Sequence, residues 1–186
     1  MEQLLMIILG LLMLLGGFLM MHKGAKAARS LIKEPAASSN KLNNMTKVCL
    51  PKITAIYPDF TLEEYAIQAE DALLSVFGAI TAQNTTLLHK CDEKLHKQVS
   101  HIITKLQKEA LASVFDEVSF EGTVIANCRQ ENSGYLITFQ CAVYCYNYRL
   151  KEGLLSSGST SEKIHAKYNI TLDTQHWLFT HFEHIN

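Results

Sequence analysis

The chain is predicted to fold as an α+β domain, helices first and then an antiparallel sheet, preceded by one membrane-spanning helix. Three observations predict this. Leu4–Met21 is an uncharged run; its eighteen residues rise about 27 Å as a helix, against the ~30 Å of a bilayer's hydrocarbon core. Apolar residues then recur with helical spacing from Tyr65 to Leu111, and after Ala112 the period changes to two.

The flanks of the run assign a side. Only Met1, Glu2 and Gln3 precede it, whereas Lys23, Lys26, Arg29 and Lys33 follow. Positive residues beside a spanning helix stay on the cytoplasmic side, so the C-terminal bulk is expected in the cytoplasm of a bacterium, anchored in its inner membrane. A mitochondrial inner membrane is the less favoured site, because no Arg-rich presequence stands ahead of the helix. The A-x-A-like Ala25-Lys26-Ala27 keeps export to the periplasm open as an alternative. Gly10, Gly16 and Gly17 allow close packing between anchors, and with it a homo-oligomer.

The net charge of −1 hides an asymmetry. Residues 1–50 carry six Lys or Arg against two acids, and the remainder eleven against sixteen. The basic part (Lys23, Lys26, Arg29 and Lys33) is expected to face anionic lipid. The acidic part is repelled by nucleic acid, which is not expected as a partner. Three segments follow: 1–22 as anchor, 23–50 as basic flank and linker, and 51–186 as the folded domain. Pro35, Ser38-Ser39-Asn40 and Asn43-Asn44 mark the linker.

Within the domain, Thr61 is read as a helix cap with Glu64 completing a capping box, and Phe60 as a staple on Tyr65. The buried face runs Tyr65, Ala69, Ala72, Leu73, Val76, Phe77 and Ile80. A turn at Leu87-Leu88 follows Asn84. A second helix from Asp92 presents Leu95, Val99, Ile102, Ile103, Leu106 and Leu111. Val118, Phe120, Val124 and Ala126 read as a first strand with a bend at Gly122. Asn132-Ser133-Gly134 reads as a turn, Tyr135–Leu150 as a long strand with Ile137, Phe139, Cys141, Val143 and Cys145 inside, and Gly153–Gly158 as a mobile connection. Ile164–Leu172 and Trp177–Ile185 complete the sheet.

Residues Tyr57-Pro58-Asp59-Phe60, then Tyr65, Ala69, Ala72, Val76, Phe77, Ile80 and Ala82, then Asn84 and Leu87-Leu88, carry a family resemblance. The stretch Ile53–Leu88 resembles the C-terminal domain of the mitochondrial inner-membrane translocase subunit 44 family, which includes bacterial membrane-anchored homologues. The opening reads Pro58-Asp59 where Asp-Pro is usual, and Tyr65 stands where Phe is common. The resemblance implies the cone-shaped nuclear-transport-factor-2-like fold and a tether for chaperone, translocase, ribosome or membrane-complex partners.

The site residues read as follows. Tyr144, Tyr146 and Tyr148 share the face of the long strand opposite Cys141, Val143 and Cys145. They are either the amphipathic cover of a sheet buried on both sides or an aromatic platform for a partner or ligand. An enzyme acting on a small apolar substrate is the alternative class, with Asp71, His165 and His181 as candidate general bases. The pattern places Asp71 on a polar helix side and His165 opposite the apolar set. Alternation separates His181 from His176 and His184, so no shared metal is expected. Neither a P-loop, a dinucleotide fingerprint nor G-x-S-x-G is present, and no cofactor or catalytic residue is assigned. The five cysteines read as reduced thiols rather than a disulfide framework. The expected function is therefore membrane-attached docking of a protein, with the enzyme and a periplasmic secretion-assembly factor as alternatives.

Overall fold

A computed structural model describes residues 41–131 and 134–185. They contain three α-helices, α1 (Thr46–Thr54), α2 (Leu62–Thr81) and α3 (Glu93–Lys108), with a 3-10 turn at Thr85–Leu87 between the last two. Five strands follow: β1 (Leu111–Glu131), β2 (Gly134–Lys151), β3 (Leu154–Gly158), β4 (Ile164–Asp173) and β5 (Leu178–Ile185). The sheet is antiparallel in the order β1-β2-β4-β5, with β3 paired to the far end of β2.

The helix starts form as the capping chemistry dictates. Thr61 accepts from the Glu64 N–H at 3.4 Å, and Asp92 accepts from the Leu95 N–H at 2.9 Å. The capping box at Thr61 is only half made, because the Glu64 carboxylate accepts from Gln68 Nε2 at 3.1 Å instead. Phe60 does staple on Tyr65, their rings stacked 4.4 Å apart. On α2, Ala69, Ala72, Leu73, Val76, Phe77 and Ile80 are buried; on α3, Leu95, Val99, Ile103 and Leu106. They meet Ile137, Phe139, Cys141, Val143 and Cys145, all wholly buried on the inner face of β2. Burying one such aliphatic or aromatic side chain contributes about 1.5–3 kcal/mol, so this seam carries the stability of the domain.

The expected fold class, a cone-shaped nuclear-transport-factor-2-like domain preceded by one spanning helix, is corrected. The described residues form a five-stranded antiparallel sheet with three α-helices, and none of those helices is long and apolar enough to cross a membrane. The longest, α2, shows the physical reason: Glu63, Glu64, Glu70 and Asp71 interrupt it, so it is apolar on one side only. The run Leu4–Met21, on which the spanning expectation fell, lies outside the described residues. So do Lys23, Lys26, Arg29, Lys33 and the glycines of the run.

Three boundaries also move. The expected linker to residue 50 ends earlier, because Thr46–Thr54 is helical and buries Cys49 and Ile53. Two apolar residues four apart, with Pro51 between them, give too short a pattern to read. Leu111 opens β1 rather than closing the α3 stripe; Ala110, at a positive φ of 52°, turns the chain. Gly153–Gly158 holds strand β3, paired from Leu154 to Lys151 and from Gly158 to Tyr148. Of the expected turn after β1, only Gly134 is described, and it pairs with Glu131. The bend at Gly122 is present as a register shift between Phe120 and Gly122.

Candidate binding faces

The long strand β2 presents two unlike faces. Opposite its buried row stand Thr138, Gln140, Ala142, Tyr144, Tyr146 and Tyr148. Gln140 is buried although polar, because the chain's own segment 41–45 crosses the outer face there. The Asn43 backbone N–H donates to Gln140 Oε1 at 2.8 Å, while Gln140 Nε2 donates to Asn169 Oδ1 at 3.2 Å. Lys167 Nζ reaches Lys41 O at 3.3 Å, and the Met45 N–H donates to Ile125 O at 2.8 Å. This half of the outer face is thus covered by an irregular segment, largely through its main chain.

Beyond Ala142 the same face has no such cover among the described residues. Tyr144 and Tyr146 are half-buried, and Lys163 Nζ lies over both rings, at 5.4 and 5.1 Å from their centroids. Lys163 also ion-pairs with Glu117 at 2.8 Å. The hydrogen bond to that carboxylate raises its pKa, so Lys163 is cationic at neutral pH. His165 stacks on Tyr144 at 4.4 Å and meets Glu121 at 3.1 Å. The open cleft here, about 600 Å³, is lined by Glu117, Tyr144, Tyr146, Ser161, Glu162 and Lys163. Asp116 faces Tyr146 across the β1–β2 ladder. Tyr148 is not brought into this cluster: it sits between Val114 and Gly158, with no ring or cation contact among the described residues.

A second opening, of about 490 Å³, lies on the inner side, where the sheet continues past α3. Its floor is Ile80, Phe115, Tyr168 and Phe182, and its rim carries His101, Lys105, Glu109, Arg149 and His184. Burial pushes the Tyr168 hydroxyl up to about 12, with charge coupling to Cys145 adding and a hydrogen bond to Asn147 opposing. The protonated phenol in this apolar floor, with Lys105 and Arg149 on the rim beside Glu109, offers hydrogen-bond donors to a small, largely apolar molecule. This opening is not legible in the sequence, because its lining comes from six elements: four residues from α3, one from α2 and two each from β1, β2, β4 and β5, with Glu109 just past α3.

The candidate general bases are not gathered. Asp71 lies exposed in a groove between α2 and Leu87–Lys90, His165 is on the outer face, and His181 is exposed on β5. His176 bonds Asp173 at 2.8 Å in a turn, and His184 stacks on Tyr168 at 4.9 Å, so the three late histidines point to separate places. The only buried polar side chains among the described residues are those of Ser113, Gln140 and Thr174. No three metal-ligating side chains gather among the described residues. Burial raises the thiols of Cys91, to about 11, and Cys141, to about 12, which leaves both protonated.

No family model matches this chain, and no curated protein matches it.

Proposed function

We propose that the domain is a non-catalytic docking module that holds a basic, extended segment of a partner protein on the outer face of its sheet, at the inner face of a bacterial membrane. The observation that carries this reading is the division of that face. One half is already covered by a segment of the chain's own, Lys41–Met45, bonded through its main chain to Gln140 and Ile125. The other half offers Tyr144 and Tyr146, held by Lys163 and His165. Rigid aromatic rings supply contact area at small entropic cost. Four carboxylates, Asp116, Glu117, Glu121 and Glu162, gather about these rings with Lys163 among them, so the face favours a cationic partner.

Membrane residence rests on the uncharged run Leu4–Met21 and the basic residues after it. Residence raises the effective concentration of a weak module for partners on the same membrane. The resemblance of Ile53–Leu88 to the translocase-subunit-44 family points to translocase, chaperone or membrane-complex partners. Crosslinking in native membranes tests the reading. A specific partner should be captured by the wild type and by Glu131→Gln, and lost with Tyr144→Ala/Tyr146→Ala. Glu162→Lys or raised salt should weaken the capture. Equal capture by the double variant refutes the assignment. A fusion reporter at the C-terminus, fluorescent only inside or phosphatase-active only outside, tests the side.

The Tyr168 opening favours a second reading, an enzyme or carrier of a small apolar acid. Titration with dodecanoate tests it: saturable binding abolished by Arg149→Ala supports it, and no binding removes it.

A further inference from the structure

Lys163 sets the chain's own ammonium group on the tyrosine pair of the outer face. It ends the irregular residues 159–163 between β3 and β4, which Ser159 ties together, its Oγ accepting from the N–H groups of Ser161 at 3.2 Å and Glu162 at 2.9 Å. The ammonium meets two rings, Tyr144 at 5.4 Å and Tyr146 at 5.1 Å from their centroids. It also donates to two oxygens of one residue, Glu117 Oε2 at 2.8 Å and Glu117 O at 3.3 Å. Strand β1 is bent to make this seat. Glu117 lies in the register shift between Asp116 and Ser119, at a positive φ of 44°, and its N–H donates to Asp116 Oδ1 at 2.8 Å. A left-handed glutamate is strained unless its surroundings hold it, and such strain gathers at binding sites. Here the irregularity turns the carboxylate and the carbonyl of Glu117 to the same point.

We propose that this seat is built for the primary ammonium of a lysine in the partner's basic segment, and that Lys163 is its internal stand-in, displaced when the partner arrives. The inference rests on the docking reading of the same face and names the group recognised there. Two hydrogen-bond acceptors beside two rings match a compact ammonium, which donates to the oxygens while its charge meets the rings. A quaternary ammonium meets the rings but has no N–H for Glu117. The open cleft of about 600 Å³, lined by Ser161 and Glu162 as well as by the residues of the seat, gives the incoming side chain its approach. The exchange is charge for charge: Glu117 keeps a cation throughout, and the released Lys163 is solvated in the open cleft. Lys163 is therefore a competitor tethered at the site, and it lowers the apparent affinity by the fraction of molecules whose seat it fills.

The test is titration of the full chain, in dodecyl maltoside micelles at fixed ionic strength, with n-butylammonium chloride, followed by NMR of ring-labelled tyrosine. Lys163→Ala should bind n-butylammonium saturably, with shifts at Tyr144 and Tyr146, about tenfold more tightly than the wild type. Tetramethylammonium should bind the same variant at least about fivefold more weakly, and adding Glu117→Gln should remove that preference. Lys163→Ser should behave as Lys163→Ala, and takes its place if the alanine variant does not fold. Three results overturn the proposal: no saturable shift in either variant, equal affinity in variant and wild type, or tetramethylammonium bound as tightly as n-butylammonium. The titration involves no partner, so its failure is distinct from that of the docking reading. Partner capture unaffected by Tyr144→Ala/Tyr146→Ala removes docking even where n-butylammonium binds as expected. Capture lost in that double variant leaves docking standing even where n-butylammonium does not bind.

Discussion

Removing the Tyr146 ring separates a docking face from a second core. The ring is half-buried, with Lys163 Nζ 5.1 Å from its centroid. A cation over an exposed ring contributes about 0.5–1 kcal/mol. Partial burial of the ring contributes about another 1 kcal/mol. Truncation leaves no orphaned charge, since Lys163 keeps Glu117 at 2.8 Å and Tyr144 at 5.4 Å. Tyr146→Ala should therefore cost about 1–2 kcal/mol, against about 3–5 kcal/mol for Phe139→Ala in the wholly buried row. The assay is a urea titration followed by emission of Trp177, the one tryptophan of the sequence, which packs at 5.1 Å from Tyr57 and 5.2 Å from Tyr65. With a slope of about 1–3 kcal/mol per molar urea, Tyr146→Ala should move the midpoint by about 0.3–2 M, and Phe139→Ala, at the same slope, by at least about one and a half times as much. Equal shifts for the two variants would refute the reasoning, because Tyr146 would then be core and unable to turn to a partner at small cost.

Three further outcomes follow from particular contacts. Thr174 is buried, accepts from the Tyr135 N–H at 2.8 Å and donates to the Tyr57 hydroxyl at 3.0 Å. Thr174→Val keeps the shape but orphans the buried Tyr135 N–H, so it should cost about 1–3 kcal/mol in the same titration, with Thr174→Ser largely restoring it. Gly158, at φ +82°, has no room for a side chain, since a Cβ would stand 2.2 Å from Asn147 O and 2.7 Å from Tyr148 Cα. Gly153, at φ +80°, has nothing within 4 Å. Gly158→Ala should free β3 and speed hydrogen exchange along Tyr148–Lys151, while Gly153→Ala shows only the left-handed backbone cost of about 1–2 kcal/mol. Burial works to raise the Asp173 pKa, but hydrogen bonds from His176 and the Gln175 N–H more than offset it, leaving it below 3.8. A carboxylate so depressed stabilises the fold above its unfolded value and loses that contribution as pH falls through the folded one. Wild type should thus lose its advantage over Asp173→Asn below pH 3.8, as read from urea midpoints across that range.

What the sequence made legible was local and periodic. Thr61, Asp92 and Asn84 announce their helix and turn starts because the capping oxygen and the N–H it accepts from lie within three residues. The inner row from Ile137 to Cys145 is legible because a strand alternates strictly. What stayed hidden depends on distant partners. Helix α1 shows no amphipathic run, and it is held by bonds from Met45 and Thr46 to Ile125, some eighty residues later. Strand β3 is Ser- and Gly-rich and exists through pairing with Tyr148–Lys151. The Tyr pair was legible as an unusual outer row. Its partners Lys163 and His165 were not, because only the β2–β4 register brings them beside it.

The same register supports the proposed docking on this face. A sheet buried on both sides carries apolar rows on both sides, yet the outer row of β2 runs Thr138, Gln140, Ala142, Tyr144 and Tyr146. Its one wholly covered polar member, Gln140, is satisfied by a backbone N–H and a neighbouring amide. A covering segment on this face must therefore bring hydrogen-bonding groups, not merely apolar area. Lys41–Met45 meets that requirement over Gln140. Over Tyr144 and Tyr146 the requirement is met in another way: Lys163 binds both the carboxylate and the carbonyl of Glu117, the latter at 3.3 Å, and His165 meets Glu121. The free domain thus leaves few polar groups wanting there, and a basic segment can exchange one carboxylate contact for another while its apolar parts settle on the rings. Such an exchange predicts binding whose affinity is modest, salt-dependent and carried mainly by Tyr144 and Tyr146.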